Sequence, residues 1–285
     1  MDFQTVHVVG AGTMGAAIAH CIAIAGMRTV LIDVLESALD RARGRIARDE
    51  RLLRLSQRRA MADAISPGDR IGTTTDAGAL KDARFVIECV PEKIGLKEAL
   101  YSQIDALCAG DAILATATSA IPIERIATWT RRPNRVIGLH FMNPAQWKDS
   151  VEVIRGQATS DSTWDLAMRF LQLLGKRVIE APDGPGFVIN RVLMPAINDA
   201  ARLTRAGHCA ASTVDRLFKD CVGHRSGPLE TADLIGLDTV VDTLDVLHEY
   251  EGDEQFRPCE VLVEMVAGGR LGRKSGRGFY EYQEL

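Results

Sequence analysis

The chain has 285 residues, room for about two domains of ordinary size. Hydrophobic residues make up 46% and charged residues 25%, which excludes a disordered chain. With 34 basic and 38 acidic side chains the net charge is −4, so a nucleic-acid-binding surface has no overall electrostatic support.

Residues 3–27 contain no Asp, Glu, Lys or Arg, long enough to imitate a membrane span. The stretch has no basic n-region, however, and is broken by Gly10, Gly12, Gly15 and Gly26 and by His7 and His20, so neither a span nor a targeting segment is expected. A β-branched run at 6–9 reads as a strand entering a turn at Gly10. The pattern over 14–25 reads as a helix closed by Gly26, and 29–32 as a second strand stopped by Asp33. A long helical segment follows over 35–61, dense in arginine: Arg41, Arg43, Arg45, Arg48, Arg51, Arg54, Arg58 and Arg59.

Further strands are expected at 85–87, 112–115, 135–139, 150–154 and 177–180, with helical stretches between them such as 96–107. This alternation predicts an α/β fold with a Rossmann-type, doubly wound, mostly parallel sheet. After the Pro/Gly cluster at 182–186 the character changes to helices over 187–206, 211–221 and 237–249, with a last short strand at 278–280. The expected domains are 1–184, a nucleotide-binding sheet domain, and 185–285, a smaller all-α domain. Six scattered cysteines with no Cys-x-x-Cys pair point away from a zinc knuckle or a disulfide framework, and fit a reducing cytoplasm.

Gly10-Ala11-Gly12-Thr13-Met14-Gly15 has Gly-x-Gly-x-x-Gly spacing between an expected strand and an expected helix. The first glycine permits the tight turn, the second lets backbone approach a pyrophosphate, and the third lets the helix pack on the strand. Asp33 closes the second strand, placed to accept hydrogen bonds from a ribose and to repel a 2′-phosphate, which favours NAD over NADP. His140 stands at the end of a buried strand, where open α/β sheets hold ligands. Glu152 lies in the otherwise apolar run Val151-Glu152-Val153-Ile154, where a carboxylate is costly unless paired. Paired with each other, the two make an acid/base dyad that moves a proton while NAD moves a hydride.

With these motifs the chain resembles the 3-hydroxyacyl-CoA dehydrogenase family in its short-chain, hydroxybutyryl form. The likeness spans nearly the whole chain: the glycine fingerprint, Gly138-Leu139-His140-Phe141-Met142-Asn143-Pro144, the Val-Glu-Val-Ile run, and Pro185-Gly186-Phe187-Val188-Ile189-Asn190-Arg191. It continues through Gly227-Pro228-Leu229-Glu230, Gly236-Leu237-Asp238-Thr239 and Gly272-Arg273-Lys274-Ser275-Gly276. The resemblance implies reversible oxidation of a 3-hydroxyacyl thioester to the 3-oxoacyl thioester. It makes His140 the catalytic base and Glu152 its partner, and has Ser119 and Asn190 hold the reacting oxygen. Glu92, Lys97, Ser119, Asn143 and Lys274 then contact NAD, and the helical domain forms a homodimer.

The chain also departs from the family pattern. Ala117-Thr118-Ser119-Ala120 lacks two polar neighbours of the serine, and the polar 145–150 stretch stands where an apolar one is common, which points to a short or polar acyl group. The family's usual Ser and Lys for gripping CoA are not matched in the 41–59 helix, where Arg48 and Arg54 are the candidates to hold the carrier's phosphates. Two alternatives stay open. The same helix suits an acidic acyl carrier protein bearing a hydroxyacyl (for example glyceryl) unit for polyketide extender-unit synthesis. A catalytically silent NAD-binding or structural protein is the other.

Overall fold

A computed structural model describes residues 3–55, 66–81 and 83–282. The chain divides into two compact units, Met1–Thr118 with Pro122–Asp183, and Ser119–Ile121 with Gly184–Leu285.

In the first unit, β1 (Thr5–Val9) is buried from its second residue onward. Gly10 follows at φ +103°, and a Cβ there would stand 2.7 Å from the carbonyl of Cys89, so only glycine turns the chain at this point. Helix α1 (Thr13–Ile24) buries every residue from Gly15 to Ala23, which explains its lack of charge. Strand β2 (Arg28–Ile32) returns parallel to β1. Helix α2 (Glu36–Leu55) is amphipathic, burying Ala38, Leu39, Ala42 and Ile46. The helix expected over 35–61 is observed as far as Leu55, and residues 56–61, with Arg58 and Arg59, lie outside the described residues.

Strands β3 (Ile71–Thr74), β4 (Phe85–Glu88), β5 (Ile113–Thr116), β6 (Val136–Phe141), β7 (Ser150–Ile154) and β8 (Arg177–Ala181) complete an eight-stranded sheet of order β3-β2-β1-β4-β5-β6-β7-β8. All neighbours are parallel except β6 and β7. Helices α3 (Ile94–Leu107), α4 (Ile123–Ala127) and α5 (Asp161–Leu173) also belong to this unit. Its core centres on the sheet, with Phe3, Phe85 and Phe170 in mutual ring contact. The strand order reverses between β1 and β4, and a doubly wound sheet opens its ligand crevice at the carboxyl ends of such strands.

The second unit is helical: α6 (Ile189–Leu203), α7 (Ala211–Asp220), α8 (Pro228–Ile235), α9 (Leu237–Glu251) and α10 (Glu260–Ala267) enclose their own core around Met194, Leu229, Leu244 and Leu262. Ser119–Ile121 groups with it, as the Gly186 amide donates to the Ala120 carbonyl at 2.9 Å. The strand expected at 278–280 is not formed. Residues 272, 277 and 281 make only isolated bridges, because the Phe279 and Tyr280 amides donate to the buried Asp233 carboxylate, each at 3.0 Å, instead of to a neighbouring strand.

Candidate active site

The glycine-rich loop joins β1 to α1 at the switch point. Gly15 packs so closely that a Cβ would lie 1.7 Å from the Gly10 carbonyl oxygen, so the third glycine is a packing requirement. Gly12, the N-cap of α1, has nothing within 4 Å of its virtual Cβ. Open space before a helix N-terminus, with no side chain capping its amides, suits a pyrophosphate. Thr13 is exposed and Met14 half-buried in the first turn. Asp33 accepts from the Ala11 amide at 2.7 Å and from the Leu35 amide at 3.0 Å. Its oxygens retain lone pairs for ribose hydroxyls. The loop therefore fits a dinucleotide.

His140, near the end of β6, stands directly opposite Glu152 in the antiparallel register. Nδ1 of the histidine lies 2.7 Å from Oε2 of the glutamate, and both residues are buried. A carboxylate only accepts, so Nδ1 carries the proton of this contact. Asn143 is half-buried, just past the strand end.

At the carboxyl ends of β4 and β5 lies a second buried network. Lys97 and Glu88 are each 1% exposed, with Lys97 Nζ 2.7 and 2.9 Å from the two Glu88 oxygens. Glu88 also accepts from Thr116 at 2.8 Å and from the Val90 amide at 2.7 Å. Lys97 lies 3.4 Å from Glu92, whose carboxylate takes the Thr118 hydroxyl. Burial alone would lower the lysine, but Glu88 and then Glu92 outweigh it and hold it above its ordinary value, so it stays charged. Burial pushes the neighbouring Cys89 thiol well up, which suits a packing residue and not a nucleophile.

In the second unit the Asn190 side-chain amide donates to the Ser119 carbonyl at 2.7 Å. Lys274 pairs with Asp238, its Nζ 2.6 Å from Oδ2. Arg48 is exposed on α2, and Arg54 reaches the Ser66 hydroxyl at 3.4 Å. Sequence reasoning passed over Glu88, Arg45 and the Asp49–Gln146 pair. Only Glu88 carried a readable signal, a carboxylate in a buried strand, the same pattern that singled out Glu152.

A dinucleotide loop at the switch point and a buried histidine–carboxylate pair in the same sheet define a class: a nicotinamide-dependent dehydrogenase. Comparison with known proteins narrows this. The family model of the 3-hydroxyacyl-CoA dehydrogenase NAD binding domain matches residues 5–184, and that of the family's C-terminal domain matches 186–282. A probable 3-hydroxybutyryl-CoA dehydrogenase of Bacillus subtilis is 40% identical, covering 100% of this chain and 99% of that protein. The 3-hydroxybutyryl-CoA dehydrogenase of Bradyrhizobium diazoefficiens is 41% identical over 98% and 96% of the two chains. Among solved structures, (S)-3-hydroxybutyryl-CoA dehydrogenase of Ralstonia eutropha superposes with a TM-score of 0.83 at 38% identity, covering 99% of this chain and all of that one. Mycobacterium tuberculosis FadB2 gives 0.88 at 35%, with the same coverage. The chain belongs to the 3-hydroxyacyl-CoA dehydrogenase family, and NAD is its cofactor.

Proposed function

We propose that the protein oxidises a short or polar 3-hydroxyacyl-CoA reversibly to the 3-oxoacyl-CoA, with His140 as acid/base and Glu152 as its partner. The observation that carries this is the 2.7 Å contact between the two buried side chains in register across β6 and β7. Bound NAD supplies the hydride acceptor. His140 takes the proton of the substrate hydroxyl at Nε2 and returns it in the reverse direction. Glu152 holds the ring's orientation through Nδ1 and stabilises the imidazolium that forms.

Gly10, Gly12, Thr13, Met14, Gly15 and Asp33 are proposed to hold the dinucleotide's phosphates and adenosine ribose. Glu92, Lys97, Ser119, Asn143 and Lys274 are proposed for its nicotinamide end, and Ser119 and Asn190 for the reacting oxygen. The helical unit is proposed to form a homodimer, supported by exposed apolar side chains such as Val192, Leu203 and Val263. Six cysteines outside any disulfide support a cytoplasmic setting. Among the described residues no helix is long and apolar enough to cross a membrane.

The exposed face of α2 favours a second reading, in which the acyl group arrives on an acidic carrier protein. Arg41, Arg48 and Arg51 are exposed there, a row that suits an acidic surface. NADH formation measured with hydroxybutyryl-CoA and with a hydroxyacyl carrier protein decides between the readings. Turnover on CoA alone, unchanged when Arg48 and Arg54 are replaced, rules out the carrier protein. Absence of NADH formation on both carriers, with NADH still bound, would leave a silent NAD-binding protein.

A further inference from the structure

Helix α2 carries two half-buried polar side chains one turn apart, Arg45 and Asp49, and each reaches a different loop of the sheet unit. Arg45 Nη2 donates to the Ala11 carbonyl, inside the glycine-rich loop, at 2.9 Å. The Ala11 amide is already held by Asp33, so both backbone polar groups of that residue are fixed by side chains. Asp49 Oδ2 accepts from Gln146 Nε2 at 2.8 Å. Gln146 lies in the loop joining β6 to β7, between the strands that carry His140 and Glu152.

Both links leave polar atoms that oppose folding. Burial lowers the Arg45 guanidinium from its usual range, with Arg41 and Arg48 adding like charge and Asp49 opposing them. Its Nε is buried and makes no hydrogen bond, and neither does Gln146 Oε1. Buried polar atoms left unbonded oppose folding and are rare in native proteins. Ala11 is itself buried, so its carbonyl needs a partner from within the protein, and Arg45 supplies it from another element. What the arginine adds is a fixed direction for the peptide groups preceding α1, the groups that face the cofactor's phosphates in the reading above. A loop already held in its binding geometry loses less freedom when the ligand arrives.

We infer that Arg45 is a positioning residue for the dinucleotide loop, and that Asp49, through Gln146, ties the loop behind His140 to the same helix. This rests on the proposed cofactor and catalytic roles, and the test separates the two levels. Arg45→Met keeps the aliphatic stem and removes the donor, whereas Arg45→Lys keeps a donor. NADH affinity by fluorescence titration, thermal midpoint, and kcat with the KM values for NAD and hydroxybutyryl-CoA are measured for the parent and each variant. Arg45→Met is expected to weaken NADH binding and raise the NAD KM by about tenfold, the size of one charge-assisted hydrogen bond, with kcat at saturating NAD within about twofold of the parent. Arg45→Lys is expected to recover most of that loss. Asp49→Leu is expected to raise the acyl-thioester KM and leave NADH affinity unchanged. Parent-like NADH binding in Arg45→Met overturns the inference, as does a loss that only tracks a falling thermal midpoint and is not relieved in Arg45→Lys. An unchanged acyl KM in Asp49→Leu overturns its second half. If the parent itself fails to bind NADH, the cofactor reading falls instead.

Discussion

A histidine whose Nδ1 is held 2.7 Å from a buried carboxylate has that nitrogen committed, and the proposed acid/base role falls to the other. His140→Ala is therefore expected to lower kcat by about 10²–10⁴-fold while NADH affinity by fluorescence titration stays at the parent value. Glu152→Gln removes the charge that favours the imidazolium and is expected to lower kcat similarly. In the proposed role the two residues act as one unit, so the double variant is expected to fall no further than His140→Ala alone. Additive losses would show that Glu152 acts elsewhere. The Glu88–Lys97 pair obeys a different logic, since both partners are 1% exposed. Lys97→Met strands a buried carboxylate and is expected to cost about 3–5 kcal/mol in urea unfolding. Adding Glu88→Gln removes the stranded charge and is expected to recover most of that loss.

At the scale of elements, the turn from β1 to α1 separates a packing glycine from a binding glycine. A Cβ on Gly15 would meet the Gly10 carbonyl at 1.7 Å, so Gly15→Ala requires α1 to move away from β1, and a lowered thermal midpoint is expected. A Cβ on Gly12 meets nothing within 4 Å, so Gly12→Ala is expected to melt like the parent yet bind NADH at least tenfold more weakly. Parent-like NADH binding in Gly12→Ala would remove the pyrophosphate from that space. The βαβ unit was legible because strand, glycines, helix and acid follow one another within 33 residues. Strand β3 was not, since Ile71-Gly72-Thr73-Thr74 is a short edge strand with one large apolar residue and no alternation to detect. Helices α8 and α10 are eight residues each, too short for a helical period to stand out. At the candidate site, Glu152 betrayed itself as a charge among apolar neighbours. Asp49 and Gln146 are 97 residues apart in sequence and meet only through the fold, while Arg45 looks like any other arginine of its helix.

For the molecule as a whole, a group outside the chemistry makes stability depend on pH between neutrality and mild acid. His20 lies on α1 with no solvent exposure, and neither ring nitrogen makes a hydrogen bond. The Glu50 carboxylate, 3.9 Å away, already receives the Gly68 amide at 2.5 Å and the Ser66 hydroxyl at 2.9 Å. Burial therefore prevails over Glu50, and the imidazole is held below its ordinary 6.5. A histidine depressed in the folded state binds its proton more readily in the unfolded chain, so folding stability rises with pH wherever only the unfolded form is protonated. The contribution is fully present above about pH 6.5 and is lost as the pH falls below it toward the depressed folded value. Asp49, Asp233 and Asp245 have carboxyls raised by burial, which gives the opposite slope in a more acid window starting from the ordinary aspartate value. Comparing the parent with His20→Leu cancels these shared terms. Urea midpoints measured from pH 7.5 down to about 5.5 are expected to fall more steeply for the parent than for His20→Leu. Parallel curves would mean that His20 titrates in the folded protein as it does in the unfolded chain, and that the acid sensitivity of the fold lies elsewhere.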